Sequence, residues 1–233
     1  MKILIAIESC QAHTDRHDVI RRTWLEGSVP EPTAFDLGTW EYRFFVGGPL
    51  LFPKHKWDEV WVDAPDDYEG LPLKTMAICD WARRHEYTHL FKCDTDTYVH
   101  VDRLLASGFQ AHDYAGFFRD PFDSHLQSCK GSYASGGPGY WLSNRAMAII
   151  ASGKFTVDYL HHEKWRGYWN GEDKQVGRRL NEFGIECHWD PRYRMDHMYP
   201  LAVNNYITAH PVVTRLVGNR MLAAHELVKG SGI

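Results

Sequence analysis

His89-Leu90-Phe91-Lys92-Cys93-Asp94-Thr95-Asp96-Thr97-Tyr98-Val99 reads as a short apolar strand running straight into an acidic turn. Two carboxylates two residues apart leave the strand together, and in a tight turn they can converge on one hard divalent cation. A solvated acidic turn is the plain alternative. Strand and helix patterns alternate on both sides of this stretch. Ile3 to Ile7, Tyr42 to Val46, Glu59 to Val62, Tyr114 to Phe118 and Ile185 to Trp189 are strand candidates. Helical spacing appears at Asp15 to Trp24, from Pro72 through Trp81, from about Val101 to Ser107, after Ser143 until Gly153, and over Glu172 to Phe183. The alternation predicts a mixed α/β sheet flanked by helices. Ligands of such sheets sit beyond the carboxyl ends of strands, which is where the acidic turn falls.

The rest of the composition bounds the function. With 233 residues, 44% hydrophobic and 24% charged, the chain has a globular makeup, and no repeat or long linker divides it. Residues 1–233 are therefore expected to form one domain. Lys plus Arg at 26 against Asp plus Glu at 30 leaves a formal charge of −4. That charge makes no global basic field for nonspecific nucleic-acid binding. The apolar run from Ile3 to Ile7 is too short for a secretion signal or a membrane span, and no later run is long enough. Five cysteines, odd in number and widely spaced, fit reduced thiols and a cytoplasmic location.

Three further segments carry possible chemistry. Gly171-Glu172-Asp173-Lys174 places two acids at a helix start. The helix dipole favours them there, and a general base held by the helix end is the functional reading. Ser135-Gly136-Gly137-Pro138-Gly139-Tyr140-Trp141-Leu142-Ser143 has three glycines in four positions, which let backbone approach a ligand closely but lack phosphate-loop spacing, and a tight loop before a helix is the alternative. His210 closes an apolar segment, Tyr206-Ile207-Thr208-Ala209, and a strand end can present such a residue to a metal. His161, His162, His188 and His197 lack metal-ligand spacing and read as surface or core residues.

These segments occur in an order that resembles the β-1,3-glycosyltransferase family of β-1,3-galactosyltransferases, Fringe and the core 1 synthase. The markers are Val19-Ile20-Arg21-Arg22-Thr23-Trp24, the segment Asp67-Tyr68-Glu69-Gly70-Leu71-Pro72-Leu73-Lys74-Thr75, and Asp94-Thr95-Asp96. They continue with Gly136 through Ser143, Glu172-Asp173 through Gly177, and Ile207-Thr208-Ala209-His210. Two positions depart from the family pattern: Thr95 replaces the middle acid of an Asp triplet, and Gly70 stands in place of Asn. The family's membrane anchor and secretory cysteine pattern are not seen, which suggests a cytoplasmic bacterial or viral protein with a different acceptor.

The resemblance implies a GT-A fold, a UDP-sugar donor and inversion at the anomeric carbon. It implies Mn²⁺, or Mg²⁺, held by Asp96 and His210, with Asp94 a further ligand or a contact to the ribose or to a metal-bound water. Mn²⁺ is the better match because imidazole suits Mg²⁺ poorly. Asp173 is the implied base, with Glu172 the runner-up. Arg21 and Lys74 are candidates for nucleotide or phosphate contacts, and Gly137 and Trp141 for lining a bound sugar. The acceptor is a hydroxyl of a glycan, a protein or a hydroxymethylated DNA base. For the last of these, Arg83-Arg84, Arg178-Arg179 and Arg192 to Arg194 would have to form a basic groove. Two other readings stand beside it: a metal-dependent phosphohydrolase or nuclease using the same aspartates, and an inactive sugar-binding module, which the aromatic content suggests but which has no need of the acidic set.

Overall fold

The structure, a computed structural model, describes residues 1–27, 40–48, 56–118, 133–156, 171–194, 206–210 and 218–230. In chain order these form β1 (Ile3–Glu8), α1 (Thr14–Arg21), β2 (Trp40–Gly47), β3 (Glu59–Val62), α2 (Leu71–Arg84) and β4 (His89–Asp94). Then come β5 (Tyr98–Val99), α3 (Val101–Leu105), β6 (Tyr114–Gly116), β7 (Tyr140–Ser143), α4 (Asn144–Ala151) and α5 (Glu172–Glu182). The series ends with β8 (His188–Trp189), β9 (Tyr193–Arg194), β10 (Thr208–Ala209) and α6 (Asn219–Gly230).

Seven strands make one sheet in the order β3-β2-β1-β4-β7-β6-β8. β1 pairs in parallel with β2 and β4, whereas β7 runs antiparallel to both β4 and β6. The sheet is therefore mixed, as expected. A second sheet has the order β5-β10-β9. The chain winds from β1 toward β2 on one side and places β4 on the other, so a crevice opens beyond the carboxyl ends of β1 and β4. Glu8 and Asp94, the last residues of those strands, lie in register.

Period-two alternation divides the core. Ile3, Ile5, Ile7, Phe91 and Cys93 face a cluster with Ile20, Trp24 and Met221. Leu4, Ala6 and Leu90 face the opposite cluster with Ile78, Met147, Ile150, Val176 and Leu180. On that second face the alternation continues from Leu90 to Lys92, and Lys92 is only 1% exposed.

The helix boundaries follow local chemistry. Pro72 sits in the first turn of α2, and the Ser143 hydroxyl accepts from Ala146 N–H to cap α4. Several expectations were too broad, among them the helix expected to Trp24, which ends at Arg21. The helix expected to Ser107 ends at Leu105, the strand expected to Phe118 ends at Gly116, and the one expected from Ile185 begins at His188. The stretch from Tyr140 to Ser143, read as loop, is the antiparallel strand β7. Its burial between β4 and β6 overrides the turn signal of the preceding glycines.

Candidate active site

The acidic turn after β4 is the centre of the site. Asp94, Asp96 and His210 each offer a ligand atom within 4.8 Å of the others. His210 arrives from the end of β10, which β5 holds in antiparallel register beside the turn. Thr97 Oγ1 donates to the Gly137 carbonyl at 2.6 Å, so its lone pairs face His210 Nδ1 at 3.3 Å. Asp96 Oδ1 lies 3.4 Å from the same nitrogen. The Thr97 acceptor at Nδ1 favours the tautomer that carries the proton there and turns the Nε2 lone pair toward a ligand.

The glycine loop packs under this cluster. A Cβ on Gly137 would stand 2.5 Å from His210 Cδ2, so only glycine admits the ring. Gly139 has φ +87°, and a Cβ there would meet the Phe91 ring at 2.4 Å. Gly136 N–H points to Asp173 Oδ2 at 3.4 Å, and a Cβ on Gly136 would approach Glu172 Oε2 to 2.9 Å. The loop thus joins the acidic turn to the start of α5.

Glu172 and Asp173 have different surroundings. Glu172 is buried, with Oε1 accepting from Thr75 Oγ1 at 3.0 Å and from the Tyr140 hydroxyl, while Oε2 lies 3.3 Å from Lys92 Nζ. Asp173 is half-buried, and among the described residues its carboxylate accepts backbone N–H groups, from Gly136 and Lys174. Desolvation, then the neighbouring Glu172 charge, raise its pKa to about 6, although Gly136, Lys174 and Lys92 pull the other way.

The sequence reading missed the charge at the centre of this arrangement. Lys92 Nζ lies 2.7 Å from Glu8 Oε2, 3.1 Å from Asp94 Oδ1 and 3.3 Å from Glu172 Oε2. Burial works against its charge, but Asp94, Glu172 and Glu8 more than reverse this, and the ammonium titrates well above its ordinary range. Burial also raises Glu8 to about 7. A signal was present. Lys92 and Glu8 are charged residues at strand positions whose alternation points into the core, and a buried charge needs partners.

Three expected site residues are placed elsewhere. Trp141 is 1% exposed, stacks on Phe109 with centroids 3.8 Å apart, and donates Nε1–H to Tyr193 at 2.8 Å. Alternation along β7 sends Tyr140 toward Glu172 and Trp141 to the opposite core, so Trp141 is a packing residue and lines no sugar pocket. Arg21 gives Nε and Nη2 to Asp58 at 2.7 and 2.8 Å, and Nη1 to Asp18 at 2.6 Å. Glu59 adds a fourth contact at 3.2 Å, so the Arg21 charge is already neutralised within the fold. Lys74 Nζ is buried, donating to the Ser9 carbonyl at 2.6 Å and to Asp66 Oδ1 at 3.0 Å. It ties the end of β1 to the loop before α2. His161, His162, His197 and Cys129 lie outside the described residues.

No protein-family model matches the chain. It is 30% identical over 127 residues to an acetylgalactosaminyl-O-glycosyl-glycoprotein beta-1,3-N-acetylglucosaminyltransferase of Mus musculus, covering 45% of this chain and 30% of that protein. It is 28% identical over 240 residues to a hydroxyproline O-galactosyltransferase of Arabidopsis thaliana, covering 89% of this chain and 33% of that protein. The chain is β-1,3-glycosyltransferase-like. It spans about a third of the length of these curated relatives. Among solved structures it is similar to the galactosyltransferase LgtC in complex with donor and acceptor sugar analogs. That match has a TM-score of 0.51 at 13% identity, covering 100% of this chain and 95% of that one. An active-site mutant of LgtC matches with a TM-score of 0.50 at 13% identity, over 92% and 88% of the two chains. The fold of this β-1,3-glycosyltransferase-like chain is GT-A-like. No described helix is long and apolar enough to cross a membrane.

Proposed function

We propose that this chain is a glycosyltransferase of one catalytic domain that moves a sugar from a UDP-sugar to a hydroxyl of a glycan or glycoprotein, with inversion. The observation that carries the reading is the meeting of Asp94, Asp96 and His210 beside a half-buried Asp173 at the carboxyl ends of the central strands. Two carboxylates and an imidazole fit Mn²⁺ better than Mg²⁺, and these three residues would hold it. A divalent cation there supplies neutralising charge for the departing diphosphate.

Asp173 takes the proton of the acceptor hydroxyl as that oxygen bonds to the anomeric carbon and the bond to the diphosphate breaks. Glu172 is the weaker candidate because Thr75, Tyr140 and Lys92 already occupy its carboxylate. Its place in the network is to hold α5 against β4. A DNA acceptor loses support, because Arg84, Arg179 and Arg192 pair with Asp80, Glu182 and Asp190. A cytoplasmic location is supported by the free thiols of Cys10, Cys79, Cys93 and Cys187.

Titration calorimetry with UDP, with and without Mn²⁺, tests the reading. The unsubstituted chain should bind UDP in a Mn²⁺-dependent way, and Asp96→Ala should abolish that dependence. Equal affinity in the two chains would count decisively against it. Gly137→Ala should weaken Mn²⁺ binding on the order of tenfold or more, because the new methyl displaces the His210 ring. Electron paramagnetic resonance of free Mn²⁺ reads this directly, and unaltered binding would separate the loop from the metal site.

A further inference from the structure

The acidic turn touches a cation that no expectation named. Arg16, on α1, donates Nη1–H to Thr95 Oγ1 at 3.0 Å. Thr95 is 3% exposed and stands between Asp94 and Asp96, so the guanidinium is anchored at the turn that carries two of the three proposed metal ligands. Its circumstances differ from those of the other cations near the site. Lys92 lies among three carboxylates, Lys74 is held by Asp66 and a carbonyl, and Arg21 is held by Asp58, Glu59 and Asp18. Among the described residues, no carboxylate pairs with Arg16. Among those residues its side-chain partner is the neutral threonine hydroxyl, which takes one of five N–H donors and orients the rest.

We propose that Arg16 is a phosphate-binding residue for the diphosphate of the donor, doing the work first expected of Arg21. The inference rests on the transferase reading above and deepens it. A nucleoside diphosphate bound with a metal that Asp94 and Asp96 would hold would bring phosphate oxygens to the acidic turn, where acids alone would repel them. A half-buried guanidinium, anchored by a hydroxyl and paired with no carboxylate among the described residues, supplies the missing attraction and suits phosphate by its planar fork. Thr95 is part of the device. An acid at that position would neutralise Arg16, whereas the hydroxyl anchors it and leaves its charge available.

The experiment compares the unsubstituted chain with Arg16→Gln, Arg16→Lys and Thr95→Val, using UDP with Mn²⁺ in calorimetry and Mn²⁺ without nucleotide in electron paramagnetic resonance. Arg16→Gln should weaken UDP binding on the order of tenfold to a hundredfold, the loss of a charge-assisted hydrogen bond. Its Mn²⁺ affinity should hold or rise, because a cation has been removed from beside Asp94 and Asp96. Arg16→Lys should recover part of the UDP affinity, and Thr95→Val should lie between the unsubstituted chain and Arg16→Gln. Unchanged UDP affinity in Arg16→Gln, or weaker binding of Mn²⁺ and UDP together, would overturn the role. If the unsubstituted chain itself fails to bind UDP, the donor reading falls and this inference with it. If that chain binds UDP and Arg16→Gln binds it equally well, only the Arg16 role falls.

Discussion

Asp173→Asn should lower kcat by about 10²–10⁴-fold, the usual contribution of a positioned base, while leaving Mn²⁺-dependent UDP affinity nearly intact. The amide matches the carboxylate in shape and keeps its one oxygen for the Lys174 N–H at 2.8 Å, giving up only the longer 3.4 Å contact from Gly136 N–H, so the helix start should stay in place. What it loses is the ability to take a proton. The same argument sets the pH profile of the unsubstituted chain. In the proposed role Asp173 acts as the carboxylate, and burial with the Glu172 charge raises its pKa to about 6, so kcat should be full above about pH 7 and fall as pH drops through about 6. Stability runs the other way. The folded-state pKa lies above the ordinary value of 3.8, so a charged Asp173 costs stability that is absent below 3.8 and fully present above about 6. Asp173→Asn should therefore raise the melting temperature at pH 8 and give no gain at pH 3. Equal losses of UDP affinity and rate would remove Asp173 from the base role. So would a rate that stays flat down to pH 4.

The second large effect is on folding. Lys92→Met should cost about 3–5 kcal/mol, the range found when one partner of a buried ion pair is removed. Glu8, Asp94 and Glu172 all lie within 3.3 Å of the ammonium, and Glu8 is 4% exposed. Without Lys92 these carboxylates repel one another where water screens them poorly. A domain with a typical stability of roughly 5–15 kcal/mol would be brought close to its threshold. Urea denaturation measures the loss, and adding Glu8→Gln to Lys92→Met should restore part of it by removing one of the stranded charges. A loss below about 1 kcal/mol, as for an exposed pair, would show that Lys92 is not holding the cluster together.

These two residues differ in how far the sequence exposes them. Asp173 was legible because acids at a helix start, followed by apolar residues at helical spacing, form a local pattern. Lys92 was legible only in part. Its place in an apolar strand marks it as unusual, but which acids it meets depends on how α5 docks against α2 and α4, and Glu172 lies 80 residues away. The arginines show the same limit more sharply. Arg16 and Arg21 lie on one short helix, and nothing in their neighbours along the chain says which meets carboxylates and which meets the acidic turn. That follows from the rotation of α1 on the sheet, which brings Asp58 and Glu59 of the β3 region to Arg21.

By itself the sequence determined the strand that runs into Asp94, the buried β1, the helices opened by Pro72 and Ser143, and the acids that begin α5. Each rests on dihedral preference, alternation or capping among residues a few positions apart. Only the tertiary structure decided that His210 joins Asp94 and Asp96, that Trp141 belongs to the core, and that Lys92 bridges three strand and helix ends. Strand pairing and helix docking set those contacts between distant segments, and a local pattern holds no record of the register or rotation that results.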